Sequence, residues 1–155
     1  MTIAINDIGN VKAIFADVEQ QIASVDYRPV LEVFQSDIAS GEALTFAAQS
    51  TPDGDAWPAL APSTVKRKGN SKILFATGSL MASLVNVGGE GNVHSVDSRQ
   101  LVFGTDVKYA VFHETGTAKF PQCFFVGISD ETLQSLVEKI ADATVEQMKG
   151  SRRES

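Results

Sequence analysis

A stretch rich in proline and glycine, residues 50–72, separates two parts of the chain that have regular apolar patterns. It contains Pro52, Gly54, Pro58, Pro62 and Gly69. Proline removes a backbone donor and glycine admits left-handed backbone, so their repetition excludes a long helix or a central strand. Loops of this length in a compact domain usually carry a function or become ordered against a partner. The sequence therefore predicts an extended loop or arm over residues 50–72.

The only tryptophan of the chain, Trp57, lies in this loop. Tryptophan is enriched in packed cores and at binding hot spots, so Trp57 either ties the loop to the core or anchors a partner. A short helix follows, which Ser63 or Thr64 would cap and Gly69 would end. We predict a subunit or partner interface made by Trp57, Leu60, Thr64, Lys66, Arg67 and Lys68.

Lysine and arginine cluster at the end of the same loop, where Lys72 follows Lys66, Arg67 and Lys68. Three interpretations stay open for this cluster: a solvated face, a surface for an acidic partner, or a contact with passing nucleic acid. The whole chain has a net charge of −6, which argues against specific nucleic-acid binding through phosphate neutralisation. No apolar run reaches the length of a membrane span, and the N-terminus lacks the pattern of a signal peptide, so we expect a cytoplasmic protein.

Apolar residues spaced by three and four predict helices at both ends of the chain. The first helix would be capped by Asn10, end near Asp26 and carry one stripe made of Val11, Ile14, Phe15, Val18, Ile22 and Val25. A second helix would have Pro29 in its first turn. The last would begin after Ser129 as N-cap and run to Gly150, with residues 150–155 as a flexible tail.

Short alternating segments in the middle of the chain predict an antiparallel meander. Its strands would be residues 83–87, 93–97 and 100–103, with the glycine-rich residues 88–92 as a hairpin tip, and residues 124–128 would add one further strand. Helices first, a small antiparallel sheet next and a closing helix indicate the α+β class. At 155 residues, the chain is predicted to form a single domain, 1–155.

Candidate chemical groups are few and incomplete. His113-Glu114 resembles the start of a zinc-protease helix, but that motif needs a second histidine where this chain has Thr117. Cys123 lies among apolar residues, which raise the pKa of a thiol and make it a poor nucleophile. Asp53 and Asp55 lack the further oxygen ligands of a calcium loop. We therefore predict no catalytic, cofactor or metal site and no enzymatic activity.

The order and spacing of motifs over residues 30–145 resemble the Mu-like phage virion morphogenesis (tail completion) family. The residues that carry the resemblance are, in order, Phe46; Pro52-Asp53-Gly54-x-x-Trp57-x-x-Leu60-x-x-x-Thr64; Lys68; Ile73-Leu74-x-x-Thr77-Gly78-x-Leu80-x-x-Ser83; Phe103-Gly104-Thr105-x-x-x-Tyr109-Ala110-x-x-His113-x-x-Gly116; and Pro121-x-x-x-Phe125-x-Gly127-Ile128-Ser129. The chain departs from the family pattern at Cys123 and Phe124, where an arginine and a proline are usual.

The resemblance implies a structural virion protein at the head–tail junction: a tail completion or tail terminator protein, or a neck ring subunit. It implies a homo-oligomeric ring, commonly a hexamer, whose partners are the tail tube and the head connector or neck proteins, with no cofactor and no membrane. Two alternatives stay open. One is an assembly chaperone absent from the mature virion, and the other is a small hydrolase that uses Cys123 or His113.

Overall fold

A computed structural model of the protein describes residues 8–118 and 121–151. In chain order the elements are α1 (Ile8–Ser24), α2 (Arg28–Ala48), α3 (Pro62–Lys68), α4 (Ser79–Val85), β1 (Asn92–Val96), β2 (Leu101–Thr105), α5 (Ala110–Thr115) and α6 (Asp130–Ser151). Helices surround one two-stranded antiparallel sheet in which His94 lies opposite Phe103. This arrangement confirms the α+β class. Among the described helices, none combines the length and the apolar character that crossing a membrane requires.

The two long helices begin as the sequence predicts. Pro29 occupies the first turn of α2, and the helix continues through Gly41. At the start of α6, the Ser129 hydroxyl accepts the Thr132 N–H at 3.3 Å, and the Ser129 carbonyl accepts the Leu133 N–H at 2.9 Å. Serine at this position pairs donors that the helix itself cannot satisfy. In the predicted tail, Gly150 and Ser151 belong to α6, and residues 152–155 lie outside the described part of the chain.

Helix α1 differs from its prediction at its start. It begins at Ile8, so Asn10 lies inside the helix instead of capping it. The predicted end near Asp26 is close, because α1 ends at Ser24. The predicted apolar stripe is helical, but much of it is exposed to solvent.

The predicted first strand is wrong, because residues 83–85 form the end of α4. Leu80 and Leu84, spaced by four, are both fully buried, and the Ser83 hydroxyl donates to the Leu80 carbonyl at 2.8 Å. Residues 88–92 therefore connect a helix to β1 and are not a hairpin tip. The hairpin turn lies between the two observed strands, where the Asp97 carboxylate accepts the N–H groups of Arg99 and Gln100 at 2.8 and 2.7 Å.

The predicted strand over residues 124–128 is also wrong. The structure places no strand there. The N–H groups of Phe125, Val126 and Gly127 donate instead to side-chain carboxylates on two helices. Backbone donors need partners when they are buried, but those partners need not come from a neighbouring strand. An apolar run of this length therefore packs as an extended core segment.

The core forms where α2, α4, the loop and this extended segment meet. Its buried members are Phe46, Trp57, Ile73, Leu80, Leu84, Ala110, Cys123 and Phe125. The rings of Phe46 and Phe125 lie 5.9 Å apart. Because these residues come from stretches that are far apart in the chain, the core fixes the loop and the extended segment relative to α2.

Candidate interaction surfaces

The loop predicted as an arm is folded onto the body of the protein through Trp57. This side chain is 5% exposed, its Nε1 donates to the Phe124 carbonyl at 2.8 Å, and its ring meets that of Phe46 edge-on at 5.6 Å. Of the two roles considered for Trp57, the structure supports the core anchor. Trp57 presents almost no surface to a partner, so any effect it has on an interface passes through the position of the loop.

The short helix α3 carries the basic cluster. Ala61 precedes it and no side chain caps it, so the predicted cap by Ser63 or Thr64 is wrong. The predicted glycine stop is confirmed: Gly69 has φ +75° and its N–H donates to the Val65 carbonyl at 2.8 Å. Lys66, Arg67 and Lys68 occupy the last turn, where the helix dipole favours positive charge.

Four of the six predicted interface residues line one groove of about 320 Å³, here called the arm groove. Leu60, Thr64, Arg67 and Lys68 contribute to its wall, whereas Lys66 is exposed outside it. His113 and Cys123 line the same groove, facing apolar side chains such as Leu74 and Phe75. The structure therefore brings most of the predicted set together and gives it an apolar floor with a basic rim.

The environment of the arm groove shifts the pKa values of Cys123 and His113. Burial raises the pKa of the Cys123 thiol, whose Sγ donates to the Pro121 carbonyl at 3.9 Å. Burial, and then the charge of Lys68, lower the pKa of His113. Burial therefore favours the protonated thiol of Cys123, which is a weaker nucleophile than the thiolate. The described residues also contain no group of three or more His, Cys, Asp or Glu side chains placed to hold a metal ion.

Two carboxylates accept hydrogen bonds from the backbone of the extended segment. Glu114 Oε2 accepts the N–H groups of Phe125 and Val126 at 3.1 and 3.4 Å, and Glu42 Oε1 accepts the Gly127 N–H at 3.4 Å. Sequence reasoning missed Glu42. Its position on α2, four residues after Ile38 and four before Phe46, places it on the apolar face of that helix, and this spacing was the available signal.

Glu42 is buried to an unusual degree for a carboxylate, with 2% of its surface exposed. Burial raises the pKa of Glu42 to about 8; the Gly127 hydrogen bond opposes this rise and the negative charge of Glu114 adds to it. Within the described part of the chain, Glu42 Oε2 has no hydrogen-bond partner. Ionisation of a carboxyl group in this setting costs free energy, so its protonation state depends on pH and on any partner that binds nearby.

A second groove, of about 470 Å³, opens beside Glu42 and is here called the α2 groove. Its lining is apolar except for that carboxylate and consists of Leu31, Phe34, Ile38, Glu42, Leu101, Phe103, Val126, Gly127, Ile128 and Leu136. The groove thus lies between α2, β2 and the first half of α6.

Helix α1 leaves large apolar side chains in solvent. Phe15 is 65% exposed, Ile14 57% and Ile22 41%. These residues lie on the stripe that the sequence predicts, and no part of the chain that the structure describes covers them. Contiguous apolar exposure of this kind marks an interaction site more often than single exposed residues do.

The C-terminal end of α1 is firmly attached. The Arg99 guanidinium donates to the carbonyls of Ile22 and Ala23 at 2.9 and 2.5 Å. The side chain of Gln147 on α6 bonds both to the N–H and to the carbonyl of Asp26, at 3.1 and 2.8 Å. These contacts fix where α1 leaves the body while its apolar stripe stays open.

Replacing Arg99 by alanine should therefore loosen α1 without unfolding the core. Loss of the charge-assisted hydrogen bonds from Arg99 to the last carbonyls of α1 should lower the free energy of local unfolding of α1 by about 1–3 kcal/mol. Hydrogen exchange by mass spectrometry should show faster exchange in α1 and unchanged exchange in α2. The exposed Arg28 makes a matched control, and equal protection of α1 in wild type and Arg99→Ala would contradict the attachment described here.

Comparison with known proteins decides the family. The model of the phage virion morphogenesis family matches residues 6–145, which is most of the chain. The chain belongs to the phage virion morphogenesis family. Neither a curated protein nor a solved structure matches it.

For this phage morphogenesis protein, two glycines of the family-like pattern have clear structural reasons. Gly116 has φ +70°, and a Cβ there would lie 2.9 Å from the Gln122 backbone nitrogen. At Gly127 a Cβ would lie 2.9 Å from Pro52 Cγ and 3.0 Å from the Phe124 ring. Both positions bring the loop, α5 and the extended segment into close contact. In this chain, Gly127 also lines the α2 groove.

Proposed function

We propose that this protein is a structural subunit of the head–tail junction, acting as a tail completion or tail terminator protein, or as a subunit of a neck ring. It has no enzymatic role and no cofactor. Membership of the phage virion morphogenesis family supports a part in virion assembly. The observation that carries the proposal is the exposed apolar stripe of α1, because a protein that functions alone has little reason to keep such a surface.

A ring subunit needs two different surfaces that fit each other, since head-to-tail contacts close into a ring of cyclic symmetry. This chain offers one projecting apolar helix and two grooves. Its partners would be further copies of itself, in a ring that we expect to be a hexamer, and the tail tube and head connector or neck proteins. The arm groove, with its basic rim, remains our candidate for one of these contacts. In the virion, the net charge of −6 would suit a lumen through which DNA passes without sticking.

Light scattering after size exclusion tests the self-association. We expect a mass near six times the 16.6 kDa chain, or a monomer that converts to rings when purified tail tubes are added. Charge reversal at Lys66 and Arg67 should reduce the joining of heads to tails in a complementation assay, with the exposed pair Arg28→Glu/Lys108→Glu testing for a general charge effect. A monomer that never binds tail tubes or connectors would refute the ring subunit.

The exposed stripe of α1 also fits a second candidate, an assembly chaperone that leaves before the virion is complete. Mass spectrometry of purified virions separates the two functions. A structural subunit should be present in a fixed number of copies per particle, whereas a chaperone should be absent from particles but present in the lysate.

A further inference from the structure

Only one of the two carboxyl oxygens of the buried Glu42 accepts a hydrogen bond among the described residues. Oε1 accepts the Gly127 N–H at 3.4 Å, whereas Oε2 has no partner among the described residues. Glu42 belongs to the lining of the α2 groove, whose other side chains are apolar. Oε2 has almost no solvent-exposed surface, so a donor can reach it only if the groove lining moves aside, and that donor would satisfy a buried polar atom that now has no partner.

The α2 groove has the character that an amphipathic helix requires. It is lined by branched aliphatic and aromatic side chains, and helices bind such grooves through residues spaced by three, four and seven. In helix α1, the exposed residues Phe15 and Ile22 are seven positions apart, and the exposed Ile14 lies next to Phe15. No described side chain of α1 lines the α2 groove of its own chain.

One cation borders the apolar stripe of α1. Lys12 is its only basic residue, and it precedes Phe15 by three positions, so it borders the apolar stripe. A lysine can lay its aliphatic stem along an apolar wall and place its ammonium at a polar group beyond. Among the described side chains of the α2 groove, Glu42 supplies an acceptor without a donor, and an ionised Glu42 is complementary in charge to Lys12 beside the stripe.

We propose that α1 of one copy binds in the α2 groove of the next copy, with Lys12 donating to Glu42 Oε2. The proposal rests on the proposed function as a self-associating subunit and names its contact. The two surfaces differ, so the contact is heterologous and can propagate from copy to copy until a ring closes. The groove lies within the body and α1 projects from it, so one copy can supply the helix and the next copy the groove.

The contact makes association depend on pH. Glu42 must be ionised to pair with Lys12, and its pKa near 8 in the free chain means that it loses a proton on binding at neutral pH. Glu114 is the charged group that acts on Glu42, and the remaining lining of the groove is uncharged. Association should therefore strengthen as pH rises from 6 to about 8, and level off above that value.

Cysteine crosslinking tests the geometry on the full chain. Subunits carrying Phe15→Cys are mixed with tagged subunits carrying Ile128→Cys at the groove and then oxidised, while Cys123 stays buried and protonated. We expect a crosslinked heterodimer, because a disulfide needs Cα atoms within about 7 Å. Val93→Cys, exposed on the sheet away from the groove, is the control partner. A mixture that crosslinks no better with Ile128→Cys than with Val93→Cys overturns the proposal.

Paired variants test the chemistry. Lys12→Met and Glu42→Gln should each weaken association at pH 8 by about tenfold or more, and the double variant should be no weaker than the poorer single one. Both should remove the rise in affinity between pH 6 and 8, whereas Lys108→Met should leave it unchanged. If rings form with normal affinity in both variants, the contact is wrong and the ring subunit stands. If wild type neither crosslinks nor self-associates, with or without tail tubes, both proposals fail.

Discussion

Replacing Trp57 by alanine is expected to lower the free energy of unfolding by about 3–5 kcal/mol, which is a large share of the stability of a domain this size. The reason is its place in the core: 5% exposed, edge-on to Phe46 and bonded to the Phe124 carbonyl at 2.8 Å. The substitution would leave a cavity and remove the hydrogen-bond donor of the Phe124 carbonyl. Urea denaturation followed by circular dichroism measures the change, since the variant lacks tryptophan fluorescence.

Two variants separate packing from hydrogen bonding at this position. Trp57→Phe keeps an aromatic ring but loses the donor, and should cost less than Trp57→Ala, with about 1–3 kcal/mol assigned to the unpaired carbonyl. Val33→Ala on the exposed face of α2 should change stability by no more than about 0.5 kcal/mol. A Trp57→Ala protein as stable as Val33→Ala would show that the loop is not anchored by this residue. Loss of joined particles in a Trp57→Ala phage should accordingly be attributed to misfolding before any interface.

Replacing Glu42 by glutamine is expected to flatten the dependence of stability on pH. The pKa of Glu42 is raised from 4.5 to about 8 in the folded chain, so the native state binds more protons than the unfolded state between these values. Stability from this group is complete below pH 4.5 and is lost as pH rises towards 8. At pH 8.5 the Glu42→Gln protein should be more stable than wild type by about 2–4 kcal/mol.

Denaturation midpoints between pH 5 and 8.5, at protein concentrations too low for self-association, provide the measurement. Glu32→Gln is the matched control, because Glu32 lies on the exposed side of the same helix. Its stability curve should run parallel to that of wild type. Parallel curves for Glu42→Gln and wild type would mean that the buried carboxyl ionises without cost, contrary to its environment. Higher stability of Glu42→Gln together with weaker association would separate a binding role from a folding role.

Much of the helical framework follows from local rules that act within a few residues. Pro29 and Ser129 mark the starts of α2 and α6, and Gly69 marks the end of α3, because each residue type satisfies or removes a terminal backbone group. The order of the motifs, read along the chain, also led to the right family, since spacing survives in sequence even where single motifs are common.

Local rules do not decide the secondary structure of short apolar segments. Residues 83–87 and 124–128 both fit a strand by pattern, but one lies partly in α4 and the other is held by Glu114 and Glu42. A five-residue apolar run satisfies more than one backbone geometry, and the choice depends on which donors and acceptors lie nearby. Those neighbours come from distant parts of the chain.

The sequence by itself determined the two long helices, the α+β class, the family and the amphipathic stripe of α1, because periodicity and caps are local properties. Only the tertiary structure decided that Trp57 is a core anchor, that one oxygen of the buried Glu42 has no partner among the described residues, and that none of those residues covers the stripe of α1. Burial is a property of the packed whole: the same helical pattern describes a face inside the core and a face awaiting a partner, and only the positions of the other elements distinguish them.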